Sequence, residues 1–364
     1  CPFEERQVAM NRTGEAGLKR ALAEVDGRIR RILRDRCVGD RVEPPFLRDA
    51  VQDYPLRGGK RMRPALTLWS CGLCGGDPER AVGAAAAVEV YHNWTLVHDD
   101  IIDRDRVRRG GPTCHVVLAR QGGADGEAGR RGENLALLTG DIQHGWSIAL
   151  LAGTSRDGVS PAVGTALVER LCAHVTPRLI SGEALDVLFP YGEAVSSTEI
   201  EQMLIWKTGV LLGYAAEAGA MIGLDCPDPR HPTVACLGQF AREAGLAFQL
   251  TDDLLGLYGD EELLGKPVGS DIREGKRTVL FAEALERTSG DDRAFLAGVL
   301  GRELSAAEVT RVRAVVSDCG AREEVAARAD ALVRRALGRL ERFPASRYRR
   351  LLESWARYVV NRKR

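Results

Sequence analysis

Aromatic side chains are scarce, at 5% of 364 residues. Strands favour aromatic and β-branched residues, so this shortage, beside plentiful Ala and Leu, argues for packed helices. Net charge is missing as well, because 51 Lys and Arg balance 51 Asp and Glu. No global field therefore draws the chain to nucleic acid or to an anionic membrane, and any anion site must be local. No unbroken apolar run approaches the roughly 18 residues of a membrane-spanning helix, which predicts no stable membrane insertion. The start, Cys1-Pro2-Phe3-Glu4-Glu5-Arg6, does not read as a signal peptide. The nine cysteines are odd in number and scattered, which excludes a disulfide framework and predicts a cytoplasmic protein. Cys71 and Cys74 form a CxxC with no second pair at zinc-ligand spacing, so they read as small residues on a packed helix. Strand signals are nearly absent, with no βα alternation and no repeat of fixed period.

What is present is helical periodicity, apolar residues recurring at three-to-four spacing. It runs from about Ala16 to Cys37, Arg61 to Cys74, and from after Asp77-Pro78 to about Arg104. Further stretches cover roughly Glu133 to Leu151, Val163 to Leu188, Thr198 to Ile222 and Pro232 to Tyr258, and helices continue to about Val360. Ser305 with Glu308 has capping-box spacing, and Thr198 with Glu201 matches less directly, only if shifted one place. The stretch 121–132, rich in Gly, Ala and charge, reads as an exposed loop, and residues 1–14 as a ragged end. With no linker-like break elsewhere, the reading is one all-α domain over 1–364.

The strongest local feature is His98-Asp99-Asp100-Ile101-Ile102-Asp103-Arg104-Asp105, late in a helical run. Residues four apart share a helix face, about 5.4 Å along the axis. Asp99 and Asp103 therefore point one way, with Asp100 nearby, and their repulsion calls for a cation. Mg²⁺ suits them, since it takes hard oxygen ligands from a few carboxylates and substrate phosphates. A second acidic pair follows in Gln249-Leu250-Thr251-Asp252-Asp253. Arg108-Arg109-Gly110-Gly111-Pro112 follows the first cluster, and Gly58-Gly59-Lys60-Arg61-Met62-Arg63-Pro64 lies upstream. Downstream runs Gly265-Lys266 to Lys276-Arg277-Thr278. Arg forks fit phosphate oxygens, and glycines let backbone approach a ligand. Neither Gly-rich run has P-loop order. His92, seven residues before Asp99, falls at nearly the same angle on the helical wheel. Acidic clusters paired with cations on Gly-rich stretches are the inventory for holding two diphosphates and ionising one.

In these motifs, GGKRMRP, HDDIIDRD with RRGGPT, KTG, FQLTDD and GKPVGSDIREGKRT, the chain resembles the trans-isoprenyl diphosphate synthases, over roughly Leu56 to Thr278. The resemblance implies an all-α bundle of helices around a central cavity (the isoprenoid synthase fold), usually a homodimer. It implies two or three Mg²⁺ per active site. Asp99, Asp100 and Asp103 would hold metal on the allylic diphosphate, and Asp252 and Asp253 would serve a further Mg²⁺ from the opposite wall, with Asp252 as its ligand. By motif position, Lys60, Arg63, His92 and Arg109 correspond to anchors of isopentenyl diphosphate. Arg108, Lys207 and Lys266 correspond to allylic diphosphate contacts, Thr208 and Gln249 to dipoles near the developing cation, and Lys276 to a further phosphate contact. The second acidic motif departs from the family's DDxxD: its last position is Gly256, which cannot bind metal, leaving Asp260 or Asp271 to help.

The same resemblance implies head-to-tail condensation of an allylic diphosphate with isopentenyl diphosphate. Residues upstream of the first acidic motif form the cavity floor in this family. Trp94 lies five residues before Asp99 and Tyr91 eight before, about 7.5 and 12 Å along the axis. With Thr95 small and no insertion inside DDIID, a geranylgeranyl product is expected, with farnesyl or geranyl as alternatives. A terpene cyclase would need no second diphosphate site, so Lys60, Arg63 and Arg109 argue against one. A non-catalytic partner subunit would be expected to lose carboxylates or basic motifs that this chain keeps.

Overall fold

The computed structural model describes residues 2–121, 123, 126–192, 195–259 and 269–360, with side chains from residue 16 onward apart from Ser270. The chain is all-α, as expected. The helices are α1 (Pro2–Asp35), α2 (Pro45–Arg57), α3 (Met62–Leu73), α4 (Val82–Ile102), α5 (Cys114–Leu118), α6 (Ala128–Ala152), α7 (Pro161–Glu169), α8 (Thr176–Leu188), α9 (Ser197–Leu204), α10 (Val210–Leu224) and α11 (Pro232–Tyr258). Beyond them come α12 (Ser270–Arg273), α13 (Val279–Arg287), α14 (Gly290–Val299), α15 (Ala306–Asp318), α16 (Ala321–Leu340) and α17 (Arg347–Val360). One antiparallel hairpin, β1 (Val107–Arg108) with β2 (Gly111–Pro112), is the only sheet among the described residues.

Several boundaries differ from the sequence reading. α1 starts at Pro2, inside the stretch read as ragged, and α6 starts at Ala128, inside the stretch read as loop. α2 was hidden by its prolines: Pro45 sits at the helix start, where a missing N–H costs nothing, and Pro55 in the last turn. Ser305 and Glu308 do form a capping box. The other box is Ser196 with Glu199, two residues before the Thr198 pairing.

The chain folds as two compact units. The first holds Cys1–Arg170, Ala215–Ala235 and Ser346–Leu352. Its centre is α4, whose residues from Val82 to Tyr91 are all buried, so this helix is apolar on every side and takes neighbours all round. α6, α3 and α1 pack on it. α1 contributes Leu18, Ala21, Val25, Ile29 and Leu33, one stripe at helical spacing. Each such Leu or Ile contributes about 1.5–3 kcal/mol by leaving water. The second unit holds Leu171–Tyr214, Cys236–Ala345 and Glu353–Arg364. Its core draws Ile200 and Met203 from α9, Leu246 and Leu250 from α11, Phe281 from α13, Val312 and Val316 from α15, and Leu332 from α16.

Candidate active site

In the first unit, the C-terminal end of α4 carries the first acidic motif. That end is the negative pole of the helix, so three aspartates there need cations. Asp99 is half-buried and Asp103, the C-cap, is exposed. Arg104 then takes a left-handed φ of 58° and ends the helix. The hairpin turns on Arg109 and Gly110, both at positive φ (52° and 74°), the two-residue type I′ geometry. That turn brings Arg108 back to Asp100, where its Nε donates to Oδ1, and its NH2 group donates to Asp105 at 3.0 Å.

Asp100, expected as a metal ligand, is engaged by the protein here. It is 0% exposed, and its second oxygen accepts the Tyr54 hydroxyl, which itself accepts the Cys114 N–H at 3.0 Å. Burial pushes its carboxyl upward, against the pull of Tyr54 and Arg108. Both oxygens are engaged and the carboxylate is buried, so in this structure it holds Arg108. Within DDIID, Asp99 and Asp103 are the carboxylates that reach solvent.

The Gly-rich basic run packs beside them. Gly58 and Gly59 have φ of 104° and 154°, and a Cβ on Gly59 would come within 3.1 Å of the Arg109 guanidinium. Arg109 donates to the Gly58 carbonyl and to Asn93 Oδ1 at 3.2 Å. Of the three cations in this run, Arg61 is structural. It is 2% exposed and bonds Asp26 at 2.7 Å, Glu89 at 2.5 Å and the Pro55 carbonyl at 2.8 Å, neutralising a buried acid on α4. Removing one partner of such a pair typically costs about 3–5 kcal/mol. Lys60 is exposed and Arg63 half-buried. Burial lowers the Arg63 pKa to about 10, so it is still cationic at neutral pH, and its buried Nε has no hydrogen-bond partner among the described residues. Burial, then Arg63, Arg109, Arg108 and Arg61, push His92 well below its ordinary value, so it is neutral. Tyr91 and Trp94 lie buried on the same helix, facing α6.

In the second unit, α9 runs into α10 through a π-helical turn, Ile205–Gly209. Lys207 and Thr208 lie in that turn, and such insertions often mark functional positions. Lys207 Nζ reaches Glu183 at 2.7 Å and Asp186 at 2.6 Å, both on α8. Gly182 makes this possible: a Cβ there would lie 2.3 Å from the Lys207 backbone nitrogen. Gln249 and Asp252 are half-buried near the end of α11. Asp253 accepts the Val279 N–H at 3.0 Å, at the start of α13. Burial, then the charges of Asp271, Asp252 and Asp186, raise it well above the usual carboxylate range. In each acidic pair the second residue, Asp100 or Asp253, accepts hydrogen bonds from protein groups. Where the motif has Gly256, an added Cβ would lie 2.9 Å from Asp271 Oδ2, so a carboxylate from α12 stands over the gap. The Lys276 ammonium lies 3.4 Å from Glu274. Lys266 and Asp260 lie outside the described residues.

Glu183, Asp186 and Tyr54 were not foreseen. Glu183 and Asp186 share a helix face at three-residue spacing, a signal present in the sequence but weak alone. Nothing near Tyr54 marks it, because its partner Asp100 is 46 residues away.

No group of three His, Cys, Asp or Glu forms a ready-made metal cage among the described residues. Mg²⁺ fits nonetheless, because it keeps waters and binds through one or two carboxylates with substrate phosphates supplying the rest. Asp99 and Asp103 in the first unit, and separately Asp252 in the second, are hard-oxygen donors of that kind.

A polyprenyl synthetase family profile matches residues 44–318. A short chain isoprenyl diphosphate synthase of Methanothermobacter thermautotrophicus is 37% identical over 340 residues, covering 93% of this chain and 95% of that protein. The crystal structure of a geranylgeranyl pyrophosphate synthetase from Pyrococcus horikoshii superposes with a TM-score of 0.81 at 31% identity, over 96% of this chain and 98% of that one. A geranylgeranyl pyrophosphate synthase from Corynebacterium glutamicum, solved with isoprenyl diphosphate and magnesium, gives 0.81 at 27% identity, over 95% of this chain and 99% of that one.

Proposed function

The chain belongs to the polyprenyl synthetase family and is a prenyltransferase of the isoprenyl diphosphate synthase type, and from that premise we propose that it condenses an allylic diphosphate with isopentenyl diphosphate to geranylgeranyl diphosphate. The observation that carries this reading is in the first unit. Arg63, with an unpartnered buried Nε, and neutral His92 stand with Arg109 on the same group of elements that presents Asp99 and Asp103. That combination seats one diphosphate by cations alone and a second through metal.

Asp99 and Asp103 would hold Mg²⁺ on the allylic diphosphate, and Asp252 would hold a further ion. When bound, Mg²⁺ supplies the Lewis acidity that draws charge onto the leaving diphosphate. Arg108, fixed by Asp100, and Lys207, fixed by Glu183 and Asp186, add positive charge at the same leaving group. Lys266 and Lys276 are further candidates from the basic run after α11. Thr208 and Gln249 turn oxygen dipoles toward the allylic cation. Lys60, Arg63, His92 and Arg109 hold isopentenyl diphosphate so that its double bond meets that cation. A neutral His92 donates a hydrogen bond without repelling the neighbouring arginines. Asp271 takes the place of the missing third carboxylate beside Asp253. Positioning and preorganised charge are the whole of the protein's contribution.

Trp94, with Tyr91 behind it, is read as the floor that limits chain length. The whole chain is taken as one functional domain, acting as a cytoplasmic homodimer. Exposed Leu137 and Leu138 on α6, at 43% and 53%, support a dimer contact there. Among the described residues no helix is long and apolar enough to cross a membrane.

The deciding experiment incubates the purified chain with labelled isopentenyl diphosphate and each of three allylic starters, followed by chromatography. Incorporation ending at twenty carbons is expected. A cyclic hydrocarbon without incorporated label would replace the reading with a terpene cyclase.

A further inference from the structure

The proposed floor residue does not stand alone. The Trp94 indole is enclosed by three rings: Tyr91 at 4.9 Å and 75°, His98 at 5.7 Å and 71°, and His144 at 4.4 Å and 50°. His144 belongs to α6 and also lies 5.7 Å from Tyr91, so it bridges both floor aromatics. One turn earlier on α6 sits Gly140. A Cβ there would fall 2.2 Å from His98 Nε2 and 3.1 Å from Trp94 Cδ1. α6 therefore carries a notch followed by a ring, and the edges of Trp94 and His98 fit the notch. The indole N–H and His144 Nε2 are both buried with no hydrogen-bond partner among the described residues. No hydrogen bond fixes the indole nitrogen, so packing of these rings sets where the indole lies. Aromatic pairs hold preferred geometry at these centroid separations.

We propose that His144 is a positioning residue for product length: by backing the Trp94 indole from α6, it sets how far the growing chain can extend, without touching substrate. This rests on the reading of Trp94 as the floor. Removing the His144 ring leaves space behind the indole. Trp94 then relaxes toward α6 and the floor drops. Gly140 fixes the opposite limit, because any side chain there drives the indole away from α6.

The test compares product distributions of Trp94→Ala, His144→Ala, His144→Phe and the double variant Trp94→Ala/His144→Ala, with the same starter. Trp94→Ala is expected to lengthen the main product by at least one five-carbon unit. His144→Ala should raise the ratio of longer to shorter product by roughly threefold to tenfold, the worth of one aromatic pair. His144→Phe, which keeps a ring, should restore the original ratio. The double variant should match Trp94→Ala alone, because His144 acts only through the indole. If His144→Ala does not fold, His144→Leu asks the same question, since it keeps bulk without a flat face. A wild-type product from these His144 variants, with Trp94→Ala lengthened, overturns the role of His144 and leaves the floor reading intact. An unlengthened product from Trp94→Ala overturns the floor reading and this inference with it.

Discussion

Adjacent aspartates in this chain sit in different surroundings, and the reason is local. Asp99 meets solvent while Asp100, one residue on, points into protein and binds Tyr54 and Arg108. Tyr54→Phe removes the one hydroxyl between Asp100 and the Cys114 N–H. It is expected to cost about 1–3 kcal/mol of stability, the usual cost of stranding buried polar groups, and to lower kcat/KM about tenfold by loosening Arg108. Urea unfolding and steady-state kinetics read the two effects separately; unchanged kinetics would leave Asp100 a purely structural residue. His92 gives a pH prediction. Its folded pKa lies well below the ordinary value of about 6.5, so the unfolded chain takes up a proton first as pH falls. Its contribution to stability is full above about 6.5 and is lost as pH drops toward the folded pKa. Unfolding at pH 7.5 and 5.5 should show a steeper loss in the wild type than in His92→Gln. Equal losses would mean the ring is not shielded by burial and arginines.

At the scale of elements, long amphipathic helices were legible because their apolar spacing repeats many times. α1, α3, α4, α6 and α11 all appear near where the pattern puts them. Hairpin β1–β2 was not, since two residues per strand leave no alternation to read, and α2 was masked by its prolines. The π turn at Ile205–Gly209 was illegible for another reason. One extra residue per turn leaves composition unchanged, and only the packing of Gly182 against it reveals the need. Gly182→Ala forces a methyl into the Lys207 backbone. Overpacking of this kind costs about 1–3 kcal/mol. Thermal unfolding should register that loss, and the rate should fall further than stability alone explains, because Lys207 would leave Glu183 and Asp186. Full activity in a folded Gly182→Ala variant would show that the close approach of α8 is not needed for the lysine.

For the whole molecule, a balanced charge total concealed strongly unbalanced regions. The sequence revealed them because acids and bases came in short, ordered motifs. What it could not reveal was which charges are already consumed inside the protein. Arg61, Asp100 and Asp253 sit in the motifs beside Arg63, Asp99 and Asp252, yet each is bonded to groups far along the chain. Arg61 and Asp100 are buried while Arg63 and Asp99 are only half-buried, and burial depends on partners dozens of residues away. The same distinction makes a prediction about function. In the proposed mechanism Asp99 and Asp252 each hold metal for one ionisation step. Asp99→Asn and Asp252→Asn should each lower kcat by roughly 10²–10³ while barely shifting the thermal midpoint, since neither carboxylate is deeply buried. The double variant should be far less than the product of the two, as for groups that act together. Measured single and double rate constants at saturating Mg²⁺ decide it. Fully multiplicative losses would mean the two carboxylates act on separate steps, and their assignment to one ionisation step would have to be abandoned.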